Sequence, residues 1–377
     1  MSNYSSLQIF ISRLRLILNS INIKERKDID NKIDIQKNLL AWFDKNKRDL
    51  PWRTTKDPYR IWVSEIMLQQ TRVETVIEYY QRFIERFPHI KNLADAEEQE
   101  VLKLWQGLGY YSRARNLHKG AKMIQDQYQG VFPSTMEEIR KVPGIGHYTA
   151  GAVLSIAFNQ PYPAVDGNVL RVFSRVIDIH EDVMQASTVK LIQQKVKEVI
   201  PQDRASDFTE ALMELGALIC IPINPLCLAC PLYQQCKARE KGIQNELPVK
   251  TKKGKPKKMH MVFCVIKDGE ETLIIKNHTD GLLGGLWSFP GKEGEKDADE
   301  ETIKQILTEL HIRAECINKL GTARHIFTHM DWDMHVYQCT IESKGTINKE
   351  HMWVTGEEIT KYPIPKVYLK IMELMDN

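Results

Sequence analysis

The sequence contains no long uncharged apolar run, so no transmembrane helix is expected. Net charge is also scarce: 52 Lys and Arg stand against 49 Asp and Glu, a formal +3 over 377 residues. Any affinity for nucleic acid must then come from local patches. The apolar N-terminal stretch SLQIFISRLRLILNS carries Arg13 and Arg15 inside it, which argues against a secretory h-region. It reads as an extra amphipathic helix. Its lack of acids keeps an organelle address open beside the expected cytoplasmic placement. Seven cysteines, an odd number, argue against a disulfide scaffold. Before about residue 240 there is no strand alternation.

What is present is ordinary for a globular protein: 42% hydrophobic and 27% charged residues, with length for about two to three domains. Residues 1–33 form an N-terminal extension. Residues 34–240 read as helix after helix, with Leu39, Leu40 and Phe43 on one face and Ile77, Tyr80, Ile84 and Phe87 on another. Ser134 with Glu137, and Asp95 with Glu98, stand at capping-box spacing. Residues 241–258 include Lys250, Lys255, Lys257 and Lys258 among Gly and Pro, and read as a solvated basic linker. From 259 to 377 the pattern changes to a smaller α+β domain. Strands are expected in MVFCVIK, ETLIIKN and DMHVYQCTI, and helices near DEETIKQILTEL and PKVYLKIMELM.

Three local patterns carry chemistry. The first is KVPGIGHYTAGAV, residues 141–153, a Gly-x-Gly turn opening a helix. Backbone N–H groups at the positive end of a helix dipole suit a phosphate, and Gly144 and Gly146 allow close approach. The second is a pair of carboxylates. Glu65 lies inside RIWVSEIMLQQT, a helix apolar nearly all round and therefore buried. Unless it pairs with Arg60 or Arg72, burial should raise its pKa. Asp166, in AVDGNVLRV, has the place of a helix N-cap, which should lower its pKa. Carboxylates pushed apart in this way can divide acid and anion roles in glycosidic cleavage. The third is CIPINPLCLACPLYQQC, a C-x6-C-x2-C-x5-C run of Cys220, Cys227, Cys230 and Cys236. Its spacing alone is compatible with zinc or with an iron–sulfur cluster, in a structural role.

Together these pieces resemble the helix-hairpin-helix DNA glycosylases of the endonuclease III superfamily, and within it the MutY-type adenine glycosylases. The resemblance runs from about residue 35 to 375. It rests on LPWR (50–53), SEIMLQQTRVETVIEYY (64–80), WQGLGYYSRARNLH (105–118), VPGIGHYTAGAV (142–153), VDGNVLRV (165–172) and the cysteine run. GLLGGLWSFP (281–290) and HIFTHMDW (325–332) match that family's second domain. The implied architecture is a mostly α helix-hairpin-helix glycosylase region with an iron–sulfur loop, followed by a smaller Nudix-like α+β domain. The implied cofactor is a 4Fe–4S cluster on the four cysteines. The implied partner of this monomer is duplex DNA carrying 8-oxoguanine:A or G:A, from which adenine is excised after leaving the stack.

The resemblance also implies roles. Glu65 would protonate adenine N7, and Asp166 would stabilise the oxocarbenium-like sugar with Asn168 holding the geometry. Arg53, Leu68 and Glu210 would line the adenine pocket. Gln70 and Tyr110 would fill the disturbed stack, with Thr71 beside them, while Gly144 and Gly146 hold a phosphate. Bifunctional relatives place a lysine where Tyr148 stands; a phenol forms no Schiff base, so base removal without strand cleavage is expected. The last domain resembles the Nudix fold of 8-oxo-dGTP hydrolases, yet KEGEKDADEETIKQILTEL after Gly291 lacks an R-E-x-x-E-E cluster. It is therefore expected to read the lesion through Phe327, Thr328 and His329, not to hydrolyse a nucleotide.

Overall fold

The computed structural model describes residues 23–251, 254–278, 281, 283–343 and 350–376. The amphipathic helix expected at 6–20 lies outside these residues. Helices come first: α1 Ile23–Asn46, α2 Pro58–Leu68, α3 Val73–Arg86, α4 Ile90–Ala94, α5 Glu98–Trp105 and α6 Ser112–Tyr128. After them come α7 Met136–Ile139, α8 His147–Phe158, α9 Gly167–Ile177, α10 Ala186–Val199, α11 Ala205–Leu218 and α12 Lys237–Glu240. The remainder is β1 Lys257–Asp268, β2 Glu271–Lys276, β3 Trp287–Ser288, β4 Gly291–Glu293, α13 Asp299–Glu309, β5 Arg313–Ile326, β6 Met330–Ser343, β7 His351–Val354 and α14 Lys366–Met375. Lys257 and Lys258 of the basic run thus already belong to a strand. No helix among the described residues is long and apolar enough to cross a membrane.

The described residues fall into two compact units. The first holds those up to Glu65, with 133–141 and 145–251. Its core joins Leu39 and Phe43 of α1 to Val169, Val172 and Phe173 of α9, Ile192 and Val196 of α10, and Phe208, Leu212 and Leu215 of α11. In α2, residues 61–65 are all buried, as its all-round apolar sequence requires. Gly151 of α8 faces the chain just before Asp166: a Cβ there would come within 2.3 Å of the Pro163 carbonyl oxygen. That close approach fixes the entry to α9.

The second unit holds 66–132, 142–144 and the described residues from 254 onward. Its helix α3 buries Val76, Tyr80, Phe83 and Phe87, so the inward face centres on Phe83, with Ile77 and Ile84 only half-buried. Phe83 meets Phe87 and Trp105 edge-on at 5.0 and 6.1 Å. The sheet runs β3-β2-β1-β6-β5, with β4 also on β1 and β7 on β2. Only β1 with β6 is a parallel pair, from Lys257 opposite Met330 to Lys267 opposite Thr340. Helix α14 covers Phe263, Val265, Met334 and Val336 on one face; α13 covers Val262, Cys264, Ile266 and Cys339 on the other. Two covered faces explain the unbroken apolar run MVFCVIK. The helices of this unit are bonded to its sheet: Gln99 of α5 accepts from the Trp287 indole at 3.0 Å and donates to the Gly285 carbonyl at 3.1 Å.

Two expected capping boxes are corrected. Thr135, not Ser134, caps α7, accepting from the Glu138 N–H at 3.3 Å and donating to the Glu138 carboxylate at 2.9 Å. The box has the right spacing one residue later. Helix α5 starts at Glu98 with Glu97 at the cap position and no side-chain cap, because Asp95 is still the C-cap of α4.

Candidate active site and cysteine cluster

The first unit gathers most of the expected chemistry. The Tyr148 hydroxyl donates to Oε2 of Glu65 at 2.6 Å. Glu65 is 5% exposed, and burial pushes its carboxyl up to about 7. The Tyr148 bond opposes this, the charges of Asp166 and Glu210 add to it, and Arg53 opposes it. The alternative pairing with Arg60 is not seen: that guanidinium lies 3.7 Å from Asp57. Burial first, then the Glu65 and Asp166 charges, hold the Tyr148 phenol well above its usual value.

Asp166 is the N-cap of α9, accepting from the Val169 N–H at 2.7 Å and from the Asn168 amide at 2.9 Å. Its pKa is raised, not lowered as expected of a cap: burial outweighs those hydrogen bonds and the Arg171 charge. Arg171 continues the chain of contacts, bonding Oδ1 of Asn168 at 2.8 Å and the carbonyls of Cys220 and Gly216 at 2.7 and 2.8 Å. Arg53 lies within the short 3-10 turn Pro51–Thr54 and reaches Glu210 at 3.0 Å and Glu214 at 2.9 Å. Glu214 also takes Arg48 at 2.9 Å. Its carboxyl falls to about 2, because burial is overcome by the two guanidinium partners. Burial instead raises Glu210, against Arg53 and Lys56.

The hairpin's second helix, α8, starts at Gly146 with no side-chain cap. A Cβ on Gly146 would meet no protein atom within 4 Å, so that side of the turn is open. Gly144 is required from within: its φ is +80°, and a Cβ would sit 2.8 Å from Cβ of Asn116.

Cys220, Cys227, Cys230 and Cys236 line one cavity with Arg175, Arg239 and Tyr233, and none is in a disulfide. Arg175 reaches Sγ of Cys220 at 3.3 Å and the carbonyls of Ile221 and Pro222 at 2.8 and 2.9 Å. The four are not among the side chains whose ligand atoms gather within 4.8 Å of one another. A tetrahedral zinc at about 2.3 Å from each sulfur would bring the sulfurs to about 3.8 Å. Four thiols around one cavity, with no disulfide among them, are a donor set that fits a metal centre.

The second unit carries the remaining candidates. Gln70 and Tyr110 sit at two turn tips with φ of 58° and 47°, a strained conformation for residues with side chains. Buried Arg113 ties the two turns. It donates to the carbonyls of Ile66, Met67 and Gln69 at 2.8, 3.0 and 2.5 Å, and to those of Leu108 and Gly109 at 3.1 Å. Thr71 Oγ1 lies 3.4 Å from the same guanidinium, and Leu68 is half-buried at the end of α2. Phe327, Thr328 and His329 form the turn between β5 and β6, closed by Phe327 N–H to Met330 carbonyl at 2.7 Å. With Tyr110, Tyr111 and Leu283 they line a cavity of about 280 Å³. The Tyr110 hydroxyl lies 2.5 Å from Thr328 Oγ1. Arg113, Arg171, Arg175 and Glu214 were not singled out from the sequence. Only Glu214 had a signal, lying one helical turn after Glu210 on α11.

A buried acid whose pKa the charge of a helix-capping aspartate raises further is the arrangement expected of a helix-hairpin-helix DNA N-glycosylase. Residues 63–202 match the HhH-GPD superfamily of base excision DNA repair proteins, and residues 261–374 match the NUDIX domain family. The chain belongs to the adenine DNA glycosylase family. It is 32% identical over 409 residues to the adenine DNA glycosylase of Mus musculus, covering 93% of this chain and 79% of that protein. To that of Buchnera aphidicola it is 39% identical over 340 residues, covering 89% and 95%. Among solved structures, a thermostable thymine-DNA glycosylase matches 57% of this chain and 99% of its own, at a TM-score of 0.51 and 28% identity. The chain is thus an adenine-directed DNA glycosylase of base excision repair.

Proposed function

We propose that this enzyme excises adenine paired with 8-oxoguanine or guanine, and does so without strand cleavage. The observation that carries the reading is Glu65, buried, bonded to a phenol and pushed up to about 7, with Asp166 close enough to raise it further. Protonated Glu65 gives its proton to adenine N7. The glycosidic bond then breaks with its electron pair leaving on the base. Asp166, whose cap bonds and Arg171 favour the anion, stabilises the cationic sugar until water adds. Tyr148 offers no amine, so the sugar is not captured as a Schiff base.

Reading of the opposite base is assigned to Phe327, Thr328 and His329, with Phe327 wedged beside 8-oxoguanine and Thr328 bonded to its Hoogsteen edge. Gln70 and Tyr110 replace the displaced base in the stack, with Thr71 on the strand; Arg53, Leu68 and Glu210 line the adenine pocket. Gly144 and Gly146 hold a phosphate, which fixes register without reading sequence. A 4Fe–4S cluster is assigned to Cys220, Cys227, Cys230 and Cys236; when bound it supplies structural support to the loop, and Arg175 orders the Cys220 end. The glycosylase domain is placed at 34–240, the linker at 241–258 and the lesion-recognition domain at 259–377, in a cytoplasmic monomer.

The test is adenine release from a duplex with one 8-oxoguanine:A pair under single-turnover conditions, with Glu65→Gln alongside. Release by wild type alone, with nicks only after alkali, is expected. Efficient borohydride trapping of a covalent enzyme–DNA adduct would overturn the monofunctional reading. Phe327→Ala combined with Thr328→Ala should narrow the preference for 8-oxoguanine:A over G:A. Unchanged discrimination would remove those residues from the assignment.

A further inference from the structure

The sheet of the second unit carries a polar cluster that adenine excision leaves unused. On the α13 side, the apolar stripe of Val262, Cys264 and Ile266 ends at His260. Parallel pairing sets His260 beside Asp333, and His335, two residues on, shares the same face of β6. One ligand atom from each of His260, Asp333 and His335 lies within 4.8 Å of the other two. The imidazole rings are 4.4 Å apart and nearly edge-on.

Asp299, the first residue of α13, stands behind them. One of its oxygens is 2.6 Å from Nε2 of His260; the other is 2.6 Å from Nδ1 of His335 and takes the Tyr337 hydroxyl. Each imidazole therefore has one nitrogen on the Asp299 carboxylate. Metal-ligating histidines are oriented in this way, by a carboxylate on the far nitrogen. A simple staple for α13 would need only Asp299 and one histidine. It would not explain a second ring at this distance, or an exposed carboxylate converging with both. Lys319 is the competing cation, with Nζ 3.0 Å from Nδ1 of His335 and 4.0 Å from Asp299. It lies on the Asp299 side, on a part-exposed side chain that can swing outward.

We propose that His260, His335 and Asp333 form a binding site for a divalent transition ion of the zinc type, oriented by Asp299. Two imidazoles and one carboxylate favour such an ion over magnesium or calcium, and three protein ligands leave a position for water. The ion would pin β6 to β1 just beyond Met330, where the strand leaves the turn of Phe327–His329. This site is independent of the assignment of that turn to 8-oxoguanine.

The test is calorimetric titration of the full chain, cysteine cluster loaded, with zinc chloride, iron content being followed in parallel. One zinc per chain should bind with no loss of iron, and magnesium chloride should not. Asp333→Asn should weaken binding by about tenfold or more, and His335→Gln should abolish it. Asp333 is exposed, so its substitution keeps the test valid where His335→Gln fails to fold. Zinc should also raise the melting temperature of wild type and not of Asp333→Asn. No saturable uptake, uptake unchanged by both substitutions, or uptake lost only with Cys230→Ser would overturn the proposal.

Discussion

Replacing Tyr148 by phenylalanine removes one hydroxyl and should make the enzyme more tolerant of alkali. In the native site that hydroxyl donates to Glu65 at 2.6 Å and so favours the carboxylate. Burial alone would push Glu65 higher than the value of about 7 it reaches. A hydrogen bond to a charged group contributes about 1.5–3 kcal/mol, and one pKa unit corresponds to about 1.4 kcal/mol. Its loss should raise Glu65 by about one to two units, to about 8–9. On the proposed role of Glu65 as the acid that works when protonated, the single-turnover rate should be flat at low pH and fall about tenfold per unit above the pKa. Wild type should turn down near pH 7, and Tyr148→Phe between about pH 8 and 9. At about pH 8 the variant would be mostly or half protonated, against about a tenth of wild type. The assay is adenine release from the 8-oxoguanine:A duplex from about pH 5 to about pH 9. A descending limb left near pH 7, or moved downward, would refute the view that Tyr148 holds Glu65 down.

Glu65→Gln should raise the melting temperature at pH 8 and leave it nearly unchanged at pH 4. The folded pKa lies above the unfolded value of 4.5, so stability is lost as pH rises from 4.5 through about 7, by up to about 3 kcal/mol. Glu214→Ala should cost about 3–5 kcal/mol in thermal or denaturant unfolding at neutral pH, because it removes the buried carboxylate that Arg53 and Arg48 share. The sign of its pH dependence is opposite: with a folded pKa of about 2, the pair's contribution is present above 4.5 and lost as pH falls from 4.5 through about 2. A Glu214→Ala protein as stable as wild type would show the pair to be replaceable. Gly144→Ala adds a clash with Asn116 to a left-handed backbone that costs about 1–2 kcal/mol. It should weaken binding to matched and mismatched duplexes alike, and a change confined to one sequence would count against phosphate holding by the turn.

The parts of this protein legible in the sequence were those whose signal is local. Glu65 declared its burial because α2 is apolar nearly all round it. Asp166 declared its cap because Gly167 and an amphipathic helix follow it. What could not be read was competition between terms of opposite sign. The cap lowers Asp166 and burial raises it, and only the packed site decides. The bond from Tyr148 to Glu65 could not be read either, since the two lie 83 residues apart. Strand β5, RAECINKLGTARHI, escaped notice because it forms the edge of the sheet order and few of its residues are apolar. Arg113 resembled a helix-surface arginine, and its work on five carbonyls depends on turns that periodicity does not describe.

The bond between Tyr110 and Thr328 couples two events usually considered one at a time. One partner is a candidate for filling the gap left by a displaced base, the other for inspecting the base opposite. While they hold each other, one of the two hydroxyls spends its only proton on the other. On the proposed roles, duplex that takes the proton-giving hydroxyl would release the other, and by linkage each engagement would then favour the second by the same factor. An undamaged pair, which repays the broken bond at one end only, would be let go. A true lesion would repay it twice, so the free enzyme's own hydrogen bond sets a threshold for commitment.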